Sequence, residues 1–322
     1  MKRAKVYYTV RVLSTLIKPD YNRLMPSLQA FIYKTMMRPL RKSLKQDIYS
    51  LRHQIDRFER LARIPPGVNI FDEISSPVPA EWTVPRSGSG DGILLYYHGG
   101  GFVVCSPRTH RTLVAEVCTE ANLRALSVDY RLAPEYPFPA ALEDTTHMFQ
   151  WLVQSGISPS RIVLGGDSAG GNLVLTTLLK LRDSDYPLPA AAFCLSPVTD
   201  FKGETPSRTR MANTDPLLPP ESGKWLEAYT AGASLDQPLL SPLNADLQGF
   251  PPLLLQVGTQ EILLDDARLF AEKAKQAGVN VTLEIYPGMW HVFQSLGKLL
   301  PEARQAIQQV AKFIQLHLQS AD

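Results

Sequence analysis

From residue 93 onward, short unbroken apolar runs alternate with segments in which apolar residues recur every three or four positions. The runs are "ILLYYH" (93–98), "RALSVDY" (124–130), "RIVLGGD" (161–167), "AAAFCLS" (190–196), "PLLLQVG" (252–258) and "VTLEIYP" (281–287). A strand with no polar face must be buried on both sides. Such runs, joined by helices, predict an α/β protein with a mostly parallel central sheet flanked by helices. The helical patterns fall at about 109–122, 139–154, 169–183, 265–277 and 301–318.

The first 63 residues have a different rhythm. They read as helices punctuated by Pro19, Pro26 and Pro39. In "KSLKQDIYSLRHQIDRFERLA", Leu44, Ile48, Leu51, Ile55, Phe58 and Ala62 form one apolar stripe among Lys, Arg and Glu. The stripe predicts packing on the rest of the protein. Its alternative is a basic amphipathic surface that touches anionic lipid, a weak peripheral membrane contact. "IPPGVNIFDEISSPVPAEW" marks the crossing into the sheet region. The stretch from 200 to 242 is longer than an ordinary connection, so it is expected to leave the sheet and return. The expected division is therefore a helical cap segment at 1–75 and a catalytic domain at 76–322, with 200–242 contributing to the cap.

Charge sharpens that division. Residues 1–63 hold 15 Lys and Arg against 4 Asp and Glu, a net +11, and the remainder holds 18 against 27, a net −9. A basic arm on an acidic body implies different jobs for the two parts. The start, "MKRAKVYYTVRVLSTLIKP", is basic, but Arg11 interrupts its apolar stretch and no small-residue cleavage site follows. No secretory leader or membrane span is expected, and a cytoplasmic location is. Three cysteines, Cys105, Cys118 and Cys194, at unrelated spacings give neither a disulfide framework nor a zinc pattern, and read as buried small hydrophobes.

Candidate chemistry centres on "GDSAG", Gly166 to Gly170. Alone, a G-x-S-x-G is a weak signal. Here a buried strand precedes it and a helix follows, the setting of a strained nucleophile turn in which only small neighbours fit. A nucleophilic Ser168 needs an oxyanion site and a base. The three glycines of "YYHGGGF" expose backbone N–H groups, so Gly99, Gly100 and Ala169 are the expected oxyanion donors. The alternative, a phosphate nest, lacks a following GK[ST]. His98 directly precedes the glycines and is read as a loop-ordering hydrogen-bonder. Of the six histidines, only His291 follows the last strand in a loop, after the Pro-Gly turn of "LEIYPGMWHVF". Serine, acid, histidine is a known chain order for this chemistry. Glu261 is the preferred acid because it lies three residues past Gly258 at a strand's carboxyl end. Asp265 comes next, although it and Asp266 read as the start of a helix.

"HGGGF", "DYRLAPEYPFPAALED", "GDSAGGNL", "DPLL" and "YPGMWHVF" occur in that order. They resemble the hormone-sensitive-lipase-like esterases, bacterial lipolytic family IV, of the α/β-hydrolase fold, over roughly residues 80 to 318. The resemblance implies a carboxylic-ester hydrolase without metal or organic cofactor, with Ser168 as nucleophile, His291 as base, and Gly99, Gly100 and Ala169 as the oxyanion hole. The family's acid is usually an aspartate in G-x-x-D-x-L-x-D-[DE], and Glu261 stands in that slot, a departure. Asp129, Arg131 and Glu135 are expected to brace loops, and Asp215 to anchor one. The substrate implied is a small-molecule ester of short or medium acyl chain, and the assembly a homodimer through the final strand. Amidase, deacetylase or formamidase chemistry would use the same groups. Plant gibberellin receptors share the scaffold without the histidine, so a binding-only role is the rival that His291 argues against. Nothing points to nucleic acid.

Overall fold

The computed structural model describes residues 26–44, 46–61, 64–219 and 222–319. All six apolar runs are strands: β3 (Ile93–Tyr97), β4 (Arg124–Val128), β5 (Ile162–Asp167), β6 (Ala191–Leu195), β7 (Leu253–Gly258) and β8 (Val281–Tyr286). Two further strands, β1 (Val68–Glu73) and β2 (Ala80–Pro85), precede them, and the sheet order is β1-β2-β4-β3-β5-β6-β7-β8. Strands β3 to β8 pair in parallel, while β1 and β2 add an antiparallel edge.

Each face of the sheet carries its own layer of helices. One face is covered by α4 (Ala140–Gln154), α5 (Ala169–Arg182) and α8 (Leu264–Gln276), the other by α3 (Pro107–Ala121) and α9 (Pro301–Gln319). Neighbours along one strand join opposite layers. Ile93, Leu95 and Tyr97 pack with Leu142, Phe149 and Leu173, whereas Leu94 and Tyr96 pack with Leu113, Val117 and Val310. Each such side chain contributes about 1.5–3 kcal/mol by leaving water. This two-sided burial is why the runs carry no polar alternation.

Polarity hid the two extra strands from the apolar-run criterion. In β1, Asn69, Asp72 and Glu73 interrupt the pattern, as an edge strand allows. In β2, Glu81 is buried but paired with Arg111 of α3. The sheet thus begins at Val68, ahead of the boundary expected at 75.

Before the sheet come α1 (Leu28–Ser43) and α2 (Ile48–Leu61). Leu51 is buried, and Leu44, Ile48 and Ile55 pack partly buried against the main core, so this part of the stripe faces inward. Ala62, Pro19 and the basic start of the chain lie outside the described residues. Between β6 and β7, the long stretch forms α6 (Pro206–Arg210) and α7 (Gly223–Thr230). Among the described residues no helix is long and apolar enough to cross a membrane.

Candidate active site

Ser168 is the single residue between the end of β5 and the start of α5, at φ 53° and ψ −115°. A non-glycine residue held there is strained, and the surrounding structure must impose it. The Ser168 N–H donates to the Leu195 carbonyl at 2.8 Å, and its carbonyl accepts from Val198 at 3.2 Å. Room for the turn comes from glycine. A Cβ on Gly170 would strike the Tyr97 and His98 carbonyls, and one on Gly166 would meet the Gly170 backbone.

His291 reaches this serine from the loop after β8. Its Nε2 lies 2.9 Å from Ser168 Oγ, and its Nδ1 lies 3.0 Å from Glu261 Oε2. The other Glu261 oxygen accepts from Gly258 N at 2.6 Å and Ser196 Oγ at 2.9 Å. Glu261 has no exposed surface, whereas Ser168 is half-buried. Burial pushes the Glu261 carboxyl up, opposed by the hydrogen bond and charge of His291 and by the Gly258 amide. A carboxylate sharing its lone pairs among three donors is satisfied and fixed in place. The longer arm of glutamate is folded back onto the start of its own loop at Gly258.

The two aspartates next in line point elsewhere. Asp265 pairs with Arg210 and Arg268. Asp266 accepts from Thr199 N, Thr205 Oγ1 and Arg208. Asp215 is an anchor as expected: it takes the N–H groups of Leu217 and Leu218 on one oxygen and that of Ile262, 3.0 Å away, on the other. That last bond holds the residue directly after Glu261. Ser196, which supports Glu261, carried no sequence signal beyond its place at the end of an apolar run.

The glycine loop departs from expectation at one position. Gly99 N–H donates to Asp167 Oδ1 at 3.0 Å, so it is not free for an oxyanion. The N–H groups of Gly100, Gly101 and Ala169 have no partner among the described residues. Gly100 and Gly101 sit at φ 117° and 60°, and Trp225 of α7 lies so close over Gly101 that a Cβ there would strike its ring. Three consecutive glycines were the signal for Gly101, but they do not say which amides are already spent.

His98 orders this loop. Its Nδ1–H donates to the Gly99 carbonyl at 2.7 Å, and its ring stacks on Tyr130, whose hydroxyl donates to the His98 carbonyl. Burial pushes its pKa down to about 3. Arg131 binds Asp144 and Glu143, and Glu135 receives Arg52 of α2, which also donates to the Val103 carbonyl. Asp129 braces through its backbone, its N–H donating to Pro79. Directly after the glycines, Phe102 stacks on Tyr229 of α7 with ring centroids 3.9 Å apart, and Ala30 of α1 packs with Met289 and Trp290, the residues preceding His291. Among the described residues, no group of three or more His, Cys, Asp or Glu side chains is placed to hold a metal ion.

A family model of the alpha/beta hydrolase fold matches residues 94–295. An acetyl-hydrolase of Streptomyces hygroscopicus is 42% identical over 73% of this chain and 79% of its own. An esterase of Acinetobacter venetianus is 36% identical over 82% of this chain and 88% of its own. A crystal structure of an esterase from the bacterial hormone-sensitive lipase family superposes with a TM-score of 0.87 at 40% identity, covering 92% of this chain and 100% of that one. With sequence and architecture agreeing over most of its length, the chain belongs to the α/β-hydrolase family as a hormone-sensitive-lipase-like, carboxylesterase-type hydrolase.

Proposed function

We propose that this chain hydrolyses small carboxylic esters of short to medium acyl chain through an acyl-enzyme on Ser168. The observation that carries the reading is the continuous contact from Ser168 Oγ through His291 to the buried Glu261, at 2.9 and 3.0 Å. Ser168 Oγ attacks the ester carbonyl carbon as its proton passes to His291 Nε2. Glu261 accepts from Nδ1–H, holding the ring's orientation and stabilising the imidazolium. The carbonyl oxygen, now negative, receives the N–H groups of Gly100, Gly101 and Ala169, with the N-terminus of α5 favouring that charge. His291 returns its proton to the departing alkoxide, and water repeats the cycle on the acyl-enzyme.

The helices before the sheet and the stretch containing α6 and α7 act in this reading as a cap. Tyr229 of α7 and Phe201 pack on Phe102 of the glycine loop, which ties the cap stretch to that loop. The Streptomyces relative is named an acetyl-hydrolase, which fits a short acyl group. Turnover of p-nitrophenyl esters from acetyl to dodecanoyl tests the reading. It expects activity that peaks among the shorter chains and vanishes in Ser168→Ala. Wild-type activity in that variant refutes it.

Assembly and surface contact extend the proposal. Among the described residues strand β8 is paired on one side only, and a second copy docking there would cover the open edge. Leu28, Phe31 and Met36 of α1 are exposed, next to the most basic part of the chain, and anionic lipid matches both properties. A dimer mass by light scattering, and sedimentation with anionic but not neutral vesicles, are the expected results. A monomer, or equal and negligible binding to both vesicles, removes the respective idea.

A further inference from the structure

Asp167, directly before the serine, is a buried carboxylate with no part in the proton relay, and its partners come from three places. Tyr96 of β3 donates its hydroxyl at 2.7 Å, Gly99 of the oxyanion loop donates its N–H at 3.0 Å, and His110 of α3 has Nε2 at 3.3 Å from both carboxylate oxygens. We propose that Asp167 and His110 form a buried ion pair that positions the oxyanion loop against the nucleophile turn. Asp167 and His110 are positioning residues, and the proposal rests on the esterase reading above.

The charge state follows from the acceptors around His110. At Nε2 stands a carboxylate. At Nδ1 stand the Ser106 carbonyl, 3.3 Å away, and Thr109 Oγ1, 2.7 Å away, whose own proton goes to the Ser106 carbonyl at 2.7 Å. With the Thr109 proton so placed, rather than turned to Nδ1, both ring nitrogens face acceptors and each supplies a proton, which makes the ring an imidazolium. Burial works against a charge on His110, but the charge and hydrogen bond of Asp167 outweigh it and raise its pKa. Burial likewise opposes ionisation of Asp167, yet His110 and the Tyr96 hydroxyl hold its carboxyl below the usual range. Tyr96, His98, Tyr130, Cys105 and Glu59 of α2 are the other ionisable groups facing the pair, and His98 is neutral.

The consequence for the loop is geometric. A Cβ at Gly99 would collide with Asp167 Oδ2, so glycine there is what lets the loop close onto the carboxylate. Once Gly99 N–H is held, the next two amides are the ones left to face the serine. The elbow and the oxyanion donors are thereby fixed to each other through one side chain, the neighbour of the nucleophile. Removing the charge on either partner loosens the donors and leaves the relay from Ser168 to Glu261 untouched.

Kinetics and spectroscopy test this separately. His110→Gln and Asp167→Asn should each lower kcat by roughly 10- to 100-fold with KM little changed, and weaken a trifluoromethyl ketone analogue by a similar factor. The double variant should lose no more than the worse single one. Tyr96→Phe, which removes one donor and keeps the pair, should lose only a few-fold and covers the case in which a charge variant does not fold. Nitrogen NMR of the wild type should show His110 protonated on both ring nitrogens near neutral pH, irrespective of catalysis. A neutral His110 would overturn the proposal, as would folded variants with wild-type kcat and analogue affinity. If instead Ser168→Ala retains turnover while His110 is doubly protonated, it is the esterase reading that fails.

Discussion

The carboxylate of Glu261 meets Nδ1 of His291 at 3.0 Å from a side chain with no solvent exposure, while its other oxygen is taken by Gly258 and Ser196. Two fixed donors, Gly258 N–H and the Ser196 hydroxyl, thus hold the carboxylate where its arm reaches His291. Glu261→Gln should keep the fold and lower kcat roughly 10²- to 10⁴-fold, because an amide can present a donor to Nδ1 and reverse the ring's tautomer. Glu261→Asp should also lose activity, since the shortened arm cannot keep both Gly258 and His291. Steady-state kinetics on a p-nitrophenyl ester check both, and wild-type kcat in Glu261→Gln would remove Glu261 from the relay.

Asp265 provides the control. Its carboxylate is held by Arg210 and Arg268, away from His291. Asp265→Asn should therefore leave kcat within about threefold and show its effect in thermal unfolding. Surface substitutions away from special features typically cost under about 0.5 kcal/mol, and a buried partner such as this one more. A thousandfold loss of kcat in a folded Asp265→Asn would instead make Asp265 the acid.

Gly100 adopts φ 117°, and a Cβ there would strike the Val104 carbonyl. Gly100→Ala should displace one oxyanion donor and lower kcat by roughly 10²- to 10³-fold. Binding of an unreactive substrate amide, measured by calorimetry, should change far less than kcat. Equal losses in both would place Gly100 in ground-state binding.

His98 predicts a dependence of stability on acid. Its pKa is pushed down to about 3 by burial, below that of the unfolded chain. A depressed folded pKa gives stability that is present above the unfolded value and lost as pH falls towards the folded one. Denaturant unfolding should thus weaken from about pH 6.5 towards pH 3, by up to ~1.4 kcal/mol per pH unit from this residue. His110 runs the other way: its raised pKa stabilises below the unfolded value and loses that contribution as pH rises through the folded one. A folded His98→Gln should show a flatter acid limb, and an unchanged limb would remove His98 as its source.

Much of this was legible in the residues. Apolar runs located the six parallel strands because both faces of each are buried, and Ser168, His291 and Glu261 could be picked out by their places at strand ends. Strands β1 and β2 escaped because Asp72, Glu73 and Glu81 break the apolar rhythm, and what tolerates them is tertiary: an open edge and the partner Arg111. The oxyanion loop shows the sharper limit. "HGGG" announces available amides, but which are spent depends on Asp167, 68 residues away from Gly99 in the chain. His110 carried no motif of its own, and its charge emerges only from the acceptors that folding places at both nitrogens.

The most direct measurement is mass spectrometry of the enzyme quenched in acid during turnover of p-nitrophenyl acetate. An acetyl group on the peptide containing Ser168, absent from Ser168→Ala together with turnover, is the predicted result. Continued turnover by Ser168→Ala, or an acyl group captured on a different residue, would contradict the account.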